Sequence, residues 1–579
     1  MHLPDRRNWG RCLLLGLVAI VASVSSPARC ATPLEHRWVF LQVNLQRNEE
    51  VTRTEAILRR AAAAGYNGFV LADYKLNVLN RVPGDYFKNL EKIKTLAEQL
   101  KLEIIPAVMP FGYSEGILTH APDLAEGIPV VDAAFVVRDG VARLVSAGQN
   151  LLPGGGFEEH KRQAATGWSY QDFPGTGSFI DTEVKHSGHS SLRFENLAQA
   201  AQKAAGNGRV NRTVSVSPLR QYRASIWIKT EDFNAAADVR MFAIGKDSRV
   251  LSHSYLGVKP TQDWTEHQIV FNSLDNNQVL FYCGAWGGRQ GKLWMDDSRL
   301  EEVAFVNLLR RDGCPLTVAN AAGQSFKEGQ DYERLIDPKL GHVRGPGSYD
   351  VYHEPPQLKI LPGSRIREGD PLRVSFYHAV TVHEGQVACC LSHHDIFRIV
   401  ENQVRLVEQL LKPKTYLLSH DEIRVANWCG SCLRPGRAPG GLLAENVRQC
   451  EKIVRRINPE ARLCFWSDMF DPTHNAVDGY YLVNGDWAGA WEGLPKDALI
   501  VNWNQGHAEK SLPWFGSRGH SQVLAGYYDG DPASIAEWLR IGGDSSGVRG
   551  AMYTTWQGNF QHLEAFAQAA WGKPGTADK

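Results

Sequence analysis

Continuously apolar strands alternate with amphipathic helices at both ends of this sequence. Near the N-terminus the strand pattern covers 36–45, 67–74 and 102–110, with helix patterns at 49–65 and 85–101. Strands that are apolar along their whole length are typical of a parallel sheet covered by helices on both faces. The alternation returns with helices at 393–412 and 441–458 and strands at 415–420, 461–468, 497–504, 521–529 and 547–557. These eight strands are the number that closes a (β/α)8 barrel.

The periodicity changes between the two parts of the predicted barrel. Residues 150–303 contain short alternating strands separated by Gly, Asn, Asp and Pro turns, which indicates an all-β sandwich inserted after the third barrel strand. Residues 304–375 are polar and turn-rich, and we expect them to form hairpins at the barrel rim. The predicted fold is therefore an α/β TIM-type barrel, built from 31–149 and 376–579, that a sandwich interrupts.

The N-terminus has the pattern of a secretory signal peptide. Arginines precede a short apolar run, and small residues around Cys30 suit a cleavage site. We therefore expect residues 1–30 to be removed and the mature protein to be exported to the periplasm or the extracellular space. No later segment approaches the roughly 20 apolar residues of a membrane helix.

Composition limits the kind of partner. Lys plus Arg and Asp plus Glu number 63 each, so the net charge gives no basis for a nucleic-acid partner. The sequence contains 16 Trp and 18 Tyr residues, and aromatic faces stack on the C–H faces of sugar rings. The composition therefore favours a polysaccharide or glycoconjugate substrate over a nucleic acid or a membrane.

An acidic pair, Asp421 and Glu422, follows the fourth predicted barrel strand, with His420 before it. Active sites of such barrels lie at the C-terminal ends of the strands. Like charges in contact raise one carboxyl pKa, which suits Glu422 to act as a general acid. Asp529, at the end of the seventh strand, is a candidate nucleophile. Aromatic residues at the ends of other strands complete a predicted sugar site: Trp466, Trp503, Tyr527, Tyr528 and Trp556.

The barrel segments resemble glycoside hydrolase family 20, the β-N-acetylhexosaminidases. The resemblance covers 36–115 and 393–571 and is carried by Ser419-His420-Asp421-Glu422, by "IIPAVMPFGYS" at 104–114, and by "CFWSDMF" at 464–470. It implies exo-acting, retaining hydrolysis of 2-acetamido sugars without a catalytic cofactor. In that scheme Asp421 holds the substrate's acetamido group, which attacks the anomeric carbon, and Glu422 is the general acid. This sequence departs from the family pattern in three places: it lacks the two glycines before the acid pair, the sugar-binding arginine on the first strand, and the histidine after the third strand, where "PFGYS" stands instead.

Two alternatives remain open for the barrel. One is a retaining glycosidase in which Glu422 is the acid/base and Asp529 the nucleophile. The other is a polysaccharide-binding protein without catalysis. An open tryptophan-walled pocket around Asp421 and Glu422 would favour an enzyme, whereas ion pairs, for instance to Arg424, would favour the binding protein.

The predicted insert resembles carbohydrate-binding jelly-roll modules of the cellulase and xylanase type. Five blocks carry the resemblance in the same order, among them "NLLPGGGFEE" at 150–159 and "LWMDDSRL" at 293–300. The resemblance implies a jelly-roll sandwich that binds polysaccharide. It also implies a structural calcium ion between Glu158 and Asp297.

The segment Trp428-Cys429-Gly430-Ser431-Cys432 contains a Cys-x-x-Cys motif. In an exported chain we expect Cys429 and Cys432 to form a local disulfide. A metal site completed by Cys450 and Cys464 is the second interpretation. A redox centre is the third, since the Pro- and Gly-rich residues after Cys432 do not form the helix that lowers a catalytic thiol pKa.

Overall fold

A computed structural model of the chain describes residues 34–383, 385–543 and 547–572. The predicted signal peptide, residues 1–30, lies outside these ranges. Within them, no helix combines the length and apolar character needed to cross a membrane. The described chain forms one closed parallel barrel and separate antiparallel sheets.

Eight parallel strands form the closed barrel, which confirms the eight barrel strands predicted from the sequence. All four residues of the fourth strand are buried, as expected for a strand between the barrel interior and an outer layer of helices. The first and last strands pair and close the ring. In chain order, which is also the order around the barrel, the strands are β1 (His36–Gln42), β2 (Gly68–Ala72), β3 (Glu103–Val108), β4 (Thr415–Leu418), β5 (Arg462–Trp466), β6 (Leu499–Asn502), β7 (Ser521–Tyr527) and β8 (Val548–Thr554).

Seven helices of eight or more residues occur in the described chain. Each presents an apolar stripe inward; in the third, Ile396, Val400 and Val407 are among the buried residues, at helical spacing. Between β5 and β6 the chain instead forms short 3-10 turns, of which Ala490–Gly493 packs on the fourth helix. The helices are α1 (Asn48–Ala63), α2 (Gly84–Leu100), α3 (His394–Leu411), α4 (Pro439–Ile457), α5 (Ala508–Ser517), α6 (Ser534–Gly542) and α7 (Leu563–Ala570).

Two antiparallel sheets lie between β3 and β4 in the chain, where the sequence predicts a sandwich. Their strands alternate buried and less buried residues; Val239, Met241 and Ala243, for example, are buried. The five-stranded sheet has the order Gln262–Asn272, Gln221–Glu231, Lys292–Val303, Ser191–Phe194, Ser178–Asp181. The four-stranded sheet has the order Val239–Ile244, Gln278–Gly288, Gly206–Ser215, Tyr170–Gln171.

A further antiparallel sheet joins residues from both sides of this region. Ile128–Arg138 pairs with Val141–Leu144 and with Pro371–His378. Segment 304–375 therefore contains short strands, and some of them pair with residues that the sequence prediction grouped with the first barrel part. The remaining strands of this sheet are Leu308–Leu309, Thr317–Asn320, Ser325–Phe326 and Leu358–Lys359.

The inserted region contacts the loop beyond β5. Arg249 donates hydrogen bonds from Nε to the Tyr481 carbonyl at 2.9 Å and from Nη2 to the Val483 carbonyl at 2.7 Å. Val483 lies in the short strand Leu482–Val483, which pairs with Val425–Ala426 after β4. The insert thereby reaches the loops at the C-terminal face of the barrel.

Candidate active site

A cavity of about 600 Å³ opens at the C-terminal ends of the barrel strands. This is the face on which TIM-type barrels build their active sites. Every barrel strand, or the loop directly after it, contributes to the wall. The wall includes Phe40, Gln42, Ala72, Ala107, Asp421, Glu422, Trp466, Trp503, Tyr528 and Trp556. The predicted acid pair and four of the five predicted aromatic residues therefore meet in one cavity.

Aromatic rings form a large part of this wall. Trp503 and Tyr528 are stacked, with centroids 5.9 Å apart and ring planes at 7°. Trp556 lies edge-on to Tyr528 at 5.7 Å and is 43% exposed, so its ring is accessible to a ligand. Polar side chains such as Gln42 and Asn77 also face the cavity. Flat rings with a few polar groups are the surroundings that a sugar requires.

Glu422 enters the cavity as an ion-paired carboxylate. Its Oε1 lies 2.6 Å from Nη2 of Arg424, and the Tyr113 hydroxyl donates a hydrogen bond to its Oε2. The Arg424 guanidinium also lies over the Tyr481 ring, 5.1 Å from its centroid, which fixes its position. Burial and the neighbouring Glu422 anion raise the pKa of Tyr113, so its hydroxyl remains a donor.

Asp421 has different electrostatic surroundings. Burial, together with the carboxylates of Asp468 and Glu422, raises the pKa of Asp421 to about 8. A carboxyl group with this pKa keeps its proton at neutral pH, as a general acid must. The cavity thus combines Asp421, whose pKa is raised, with an ion-paired Glu422. The assignment of the general acid to Glu422, made from the sequence, stays a prediction.

Asp468 supports the acid pair from the end of β5. Its Oδ2 accepts the backbone N–H of Glu422 at 2.9 Å and the Asn475 side-chain amide at 2.9 Å. Burial, followed by the charge of Glu422, raises the pKa of Asp468 to about 6. The sequence analysis did not select Asp468, although it follows the "CFW" strand end, where the barrel rule places functional side chains.

The loop after β3 reaches the acid pair through Gly112. A Cβ atom at this position would lie 1.8 Å from the Asp421 carbonyl oxygen, so only glycine permits the approach. The Gln386 amide donates to the carbonyls of Gly112 at 2.9 Å and Glu422 at 3.0 Å, which ties the two loops together. This packing brings Tyr113, the residue after Gly112, onto Glu422. Tyr113 was not predicted from the sequence, because nothing in its local pattern shows which loop it meets.

Left-handed backbone occurs at Glu422 in the acid pair and at three consecutive non-glycine residues that end β7. Glu422 has φ +50°, and Tyr527, Tyr528 and Asp529 have φ +74°, +50° and +60° in succession. Such conformations are uncommon outside glycine and cluster at functional sites. The turn directs Tyr528 into the cavity. Tyr527 instead packs on Tyr553, with centroids 4.5 Å apart, and does not line the cavity.

His420 is a core residue and not a cavity residue. It is fully buried, its ring stacks on Phe111 at 4.7 Å, and its Nε2 lies 3.0 Å from Asn446 Oδ1. Burial lowers the pKa of His420 to about 4, so the ring is neutral at physiological pH. The predicted sugar contact from His420 is therefore replaced by a structural role.

Asp529 also lies outside the cavity wall. It accepts hydrogen bonds from the Thr555 hydroxyl and from the backbone N–H groups of Trp556 and Gln557, at 2.8 and 3.2 Å. Its carboxylate thus holds the loop that carries Trp556. Asp529 is not among the residues that line the cavity, and its role as a nucleophile stays a prediction.

Glu158 and Asp297, the predicted calcium ligands, each face hydrogen-bond donors. Both carboxylate oxygens of Glu158 accept the backbone N–H of His189, at 3.0 and 2.9 Å. Asp297 Oδ2 lies 2.7 Å from His186 Nδ1, and its Oδ1 accepts the Ser187 hydroxyl at 3.0 Å. A carboxylate oxygen that accepts one hydrogen bond keeps a second lone pair for a cation, so the calcium site between Glu158 and Asp297 stays a prediction.

Cys429 and Cys432 are free thiols in the structure, so the predicted local disulfide is not present. The further metal ligands considered from the sequence also lie elsewhere. Cys464 is part of the barrel interior, where it donates to the Tyr416 carbonyl at 3.2 Å. Cys450 lies in α4, 3.6 Å from Asn446 Oδ1.

Comparison with known proteins gives weak likenesses. No family model and no curated protein matches the chain. A rhamnosidase from Novosphingobium sp. PP1Y has a TM-score of 0.31 at 10% identity, over 91% of this chain and 55% of its own. A mutant Streptomyces plicatus beta-hexosaminidase in complex with GlcNAc has a TM-score of 0.21 at 14% identity, over 34% and 41% of the two chains. A family 16 carbohydrate-binding module has a TM-score of 0.19 at 19% identity, over 26% of this chain and 99% of its own. These three structures are two glycosidases and a carbohydrate-binding module, and family 20 is not singled out.

Proposed function

We propose that the protein is a glycoside hydrolase whose active site is the barrel cavity. The observation that carries the proposal is the pairing, in one aromatic-walled cavity, of a carboxyl group that keeps its proton with one that is ion-paired. Hydrolysis of a glycosidic bond needs a proton for the leaving oxygen and a carboxylate to assist at the anomeric carbon. Asp421 and Glu422 supply these two states from adjacent positions.

In the proposed reaction Asp421 donates its proton to the glycosidic oxygen as the bond breaks. The resulting carboxylate then accepts a proton from the water that completes hydrolysis. Glu422, oriented by Arg424 and Tyr113, stabilises the positive charge that develops on the sugar ring. The stacked Trp503 and Tyr528 rings support the sugar from the side.

The finer proposal is substrate-assisted hydrolysis of 2-acetamido sugars. In this route the substrate's acetamido oxygen is the nucleophile, and the protein supplies only an acid and a group that orients the acetamido. The geometry supports this route over a nucleophilic Asp529, because the Asp529 carboxylate is used by Thr555 and by backbone N–H groups. Glu422 is the candidate for orienting the acetamido N–H.

Sugar binding without hydrolysis is the second candidate function. The ion pair between Glu422 and Arg424, reinforced by Tyr113, favours it, since these contacts hold the carboxylate in one place. The two candidates differ in one respect that can be measured. An enzyme releases product from the cavity, whereas a binding protein retains the intact glycoside.

We also propose that the inserted sheets at 150–303 bind polysaccharide and that the protein is exported. On the insert, His186 stacks on Trp227 with centroids 3.8 Å apart, and Trp264 lies 5.8 Å from the same histidine. Trp264→Ala in the full chain should reduce retardation in a glycan-containing native gel. Equal retardation of the variant and the wild type would count against this surface.

A panel of chromogenic glycosides, with and without 2-acetamido groups, tests the proposed function. We expect turnover of at least one 2-acetamido glycoside by the wild type and a large loss in Asp421→Asn and in Glu422→Gln. Glu537→Gln, at an exposed ion pair on α6, is the matched control and should leave turnover unchanged. Binding of a glycoside by calorimetry without turnover would instead support the second candidate.

A further inference from the structure

Four buried side chains from separate parts of the chain converge near the loop that follows the acid pair. Cys429 and Cys432 lie after β4, Cys390 lies before α3, and Glu126 lies after β3. The Cys390 sulfur is 3.7 Å from that of Cys429 and 3.3 Å from that of Cys432. Glu126 Oε2 is 3.3 and 3.4 Å from the same two sulfurs. The four ligand atoms lie within 4.8 Å of one another.

These separations are close to the edges of a tetrahedron of metal ligands. Zinc–sulfur bonds of about 2.3 Å and zinc–oxygen bonds of about 2.0 Å place two sulfurs about 3.8 Å apart, and a sulfur and an oxygen about 3.5 Å apart. A disulfide would instead bring two sulfurs to about 2.0 Å. The sulfurs of Cys390 and Cys432 are 3.3 Å apart, which is much longer than a disulfide bond.

Glu126 is an independent indication of a bound cation. The residue is only 2% exposed, and a buried carboxylate is costly unless it is paired or coordinates a metal. Its Oε1 accepts the backbone N–H groups of Trp428 and Cys429 at 2.7 and 2.9 Å. These two bonds orient the carboxylate so that Oε2 faces the sulfurs.

Two further residues surround the cluster. Arg311 donates hydrogen bonds to the carbonyls of Asp123 and Ala125, at 2.8 and 3.0 Å, which places its guanidinium beside Glu126. A positive charge there offsets part of the negative charge that three thiolates and a carboxylate retain around a divalent ion. Cys314 lies close enough to Cys429 to hydrogen-bond its sulfur, but it is not one of the four residues whose ligand atoms all lie within 4.8 Å of one another.

We propose that Cys390, Cys429, Cys432 and Glu126 bind a zinc ion with a structural role. Thiolate ligands select zinc among the common divalent ions, and four protein ligands leave no open coordination position for catalysis. The ion would join the loops after β3 and β4, which also carry Tyr113 and the acid pair. The Cys-x-x-Cys motif is therefore assigned to metal binding, with partners that the sequence analysis did not select.

Metal analysis of the purified full-length chain tests this assignment. After expression in zinc-supplemented medium, we expect about one zinc ion per chain in the wild type and a loss of most of it in Cys429→Ser, Cys432→Ser and Glu126→Gln. Cys283→Ser, which changes another buried free thiol in the sandwich region, should keep its zinc. The zinc-free protein should also melt at a lower temperature than the zinc-bound protein.

A second measurement covers variants that fail to fold. A mercurial reagent added to folded wild-type protein should release the zinc, and cobalt(II) added afterwards, with thiol to remove the mercurial, should give the sulfur-to-metal charge-transfer bands of a tetrahedral thiolate site. A zinc content of the wild-type protein no higher than that of Cys429→Ser would overturn the proposal. So would mass spectrometry that finds a disulfide among these three cysteines. Loss of zinc in Cys314→Ser, with zinc retained in Glu126→Gln, would overturn the assignment of Glu126 as a ligand.

Discussion

Asp421→Asn should change how stability depends on pH, because Asp421 keeps its proton in the folded protein and loses it on unfolding. The pKa of Asp421 is about 8 in the folded state against 3.8 for the free side chain. Between these values the unfolded chain binds one proton fewer, so the free energy of unfolding falls as pH rises. The asparagine variant has no such proton, so its free energy of unfolding lacks this dependence on pH.

The expected magnitude follows from the size of that pH window. A difference of one bound proton changes the free energy of unfolding by about 1.4 kcal/mol per pH unit. Between pH 5 and pH 7 the free energy of unfolding of the wild type should therefore fall by about 2–3 kcal/mol relative to that of Asp421→Asn. The variant is thus expected to be the more stable protein at pH 7, with the difference shrinking toward pH 4. A functional carboxyl group would in this way lower the stability of the fold that holds it.

Urea unfolding at pH 5, 6 and 7, followed by tryptophan fluorescence, measures the difference. Asp139→Asn is the matched control, since Asp139 is exposed in the described chain and lies in the turn between Ile128–Arg138 and Val141–Leu144 of another sheet. If the difference in the free energy of unfolding between the wild type and Asp421→Asn stayed constant from pH 5 to pH 7, the reasoning would be refuted. Asp421 would then be ionised in the folded protein, and the proton-donor role would return to Glu422.

Three further predictions concern the cavity. Glu422→Gln should lower kcat about 10²–10³-fold, because it removes the charge that stabilises the developing positive sugar ring; the fold should be retained with a lower melting temperature, since buried Arg424 loses its partner, and near-wild-type turnover would exclude Glu422 from the reaction. Gly112→Ala should lower both activity and melting temperature, because its Cβ would lie 1.8 Å from the Asp421 carbonyl oxygen. The control Gly84→Ala, whose Cβ meets nothing within 4 Å, should change neither. Equal effects of the two substitutions would contradict the close approach of Gly112 to Asp421. Trp503→Ala should raise KM about tenfold, the equivalent of about 1.4 kcal/mol of sugar binding, and an unchanged KM would remove Trp503 from the binding surface.

Local patterns were sufficient to predict the barrel. Strands that are buried on both faces, such as β4, are apolar at every position, and this signal does not depend on distant residues. Because parallel strands present their C-terminal ends on one face, the residues that end them share that face. The positions of Asp421, Glu422 and Trp466 in the cavity follow from this rule.

Contacts between distant segments were not predictable in the same way. Tyr113 and Glu422 are more than three hundred residues apart, and the packing of Gly112 on Asp421, together with the Gln386 hydrogen bonds, brings them together. Glu126 and Cys432 meet through a similar long-range contact. Tyr527 was misplaced for a local reason, since consecutive left-handed residues at the end of β7 disrupt the alternation of side chains that a strand would give.

The measurement that tests the central claim most directly is the hydrolysis of an unactivated 2-acetamido oligosaccharide, followed by release of reducing ends. Wild-type protein and Glu537→Gln should release product at equal rates, while Asp421→Asn and Glu422→Gln should each be slower by at least about a hundredfold with their melting transitions intact. Product release that is equal in all four proteins would contradict the assignment of the cavity as the active site. Tight binding of the oligosaccharide by wild-type protein without any product would contradict hydrolysis itself.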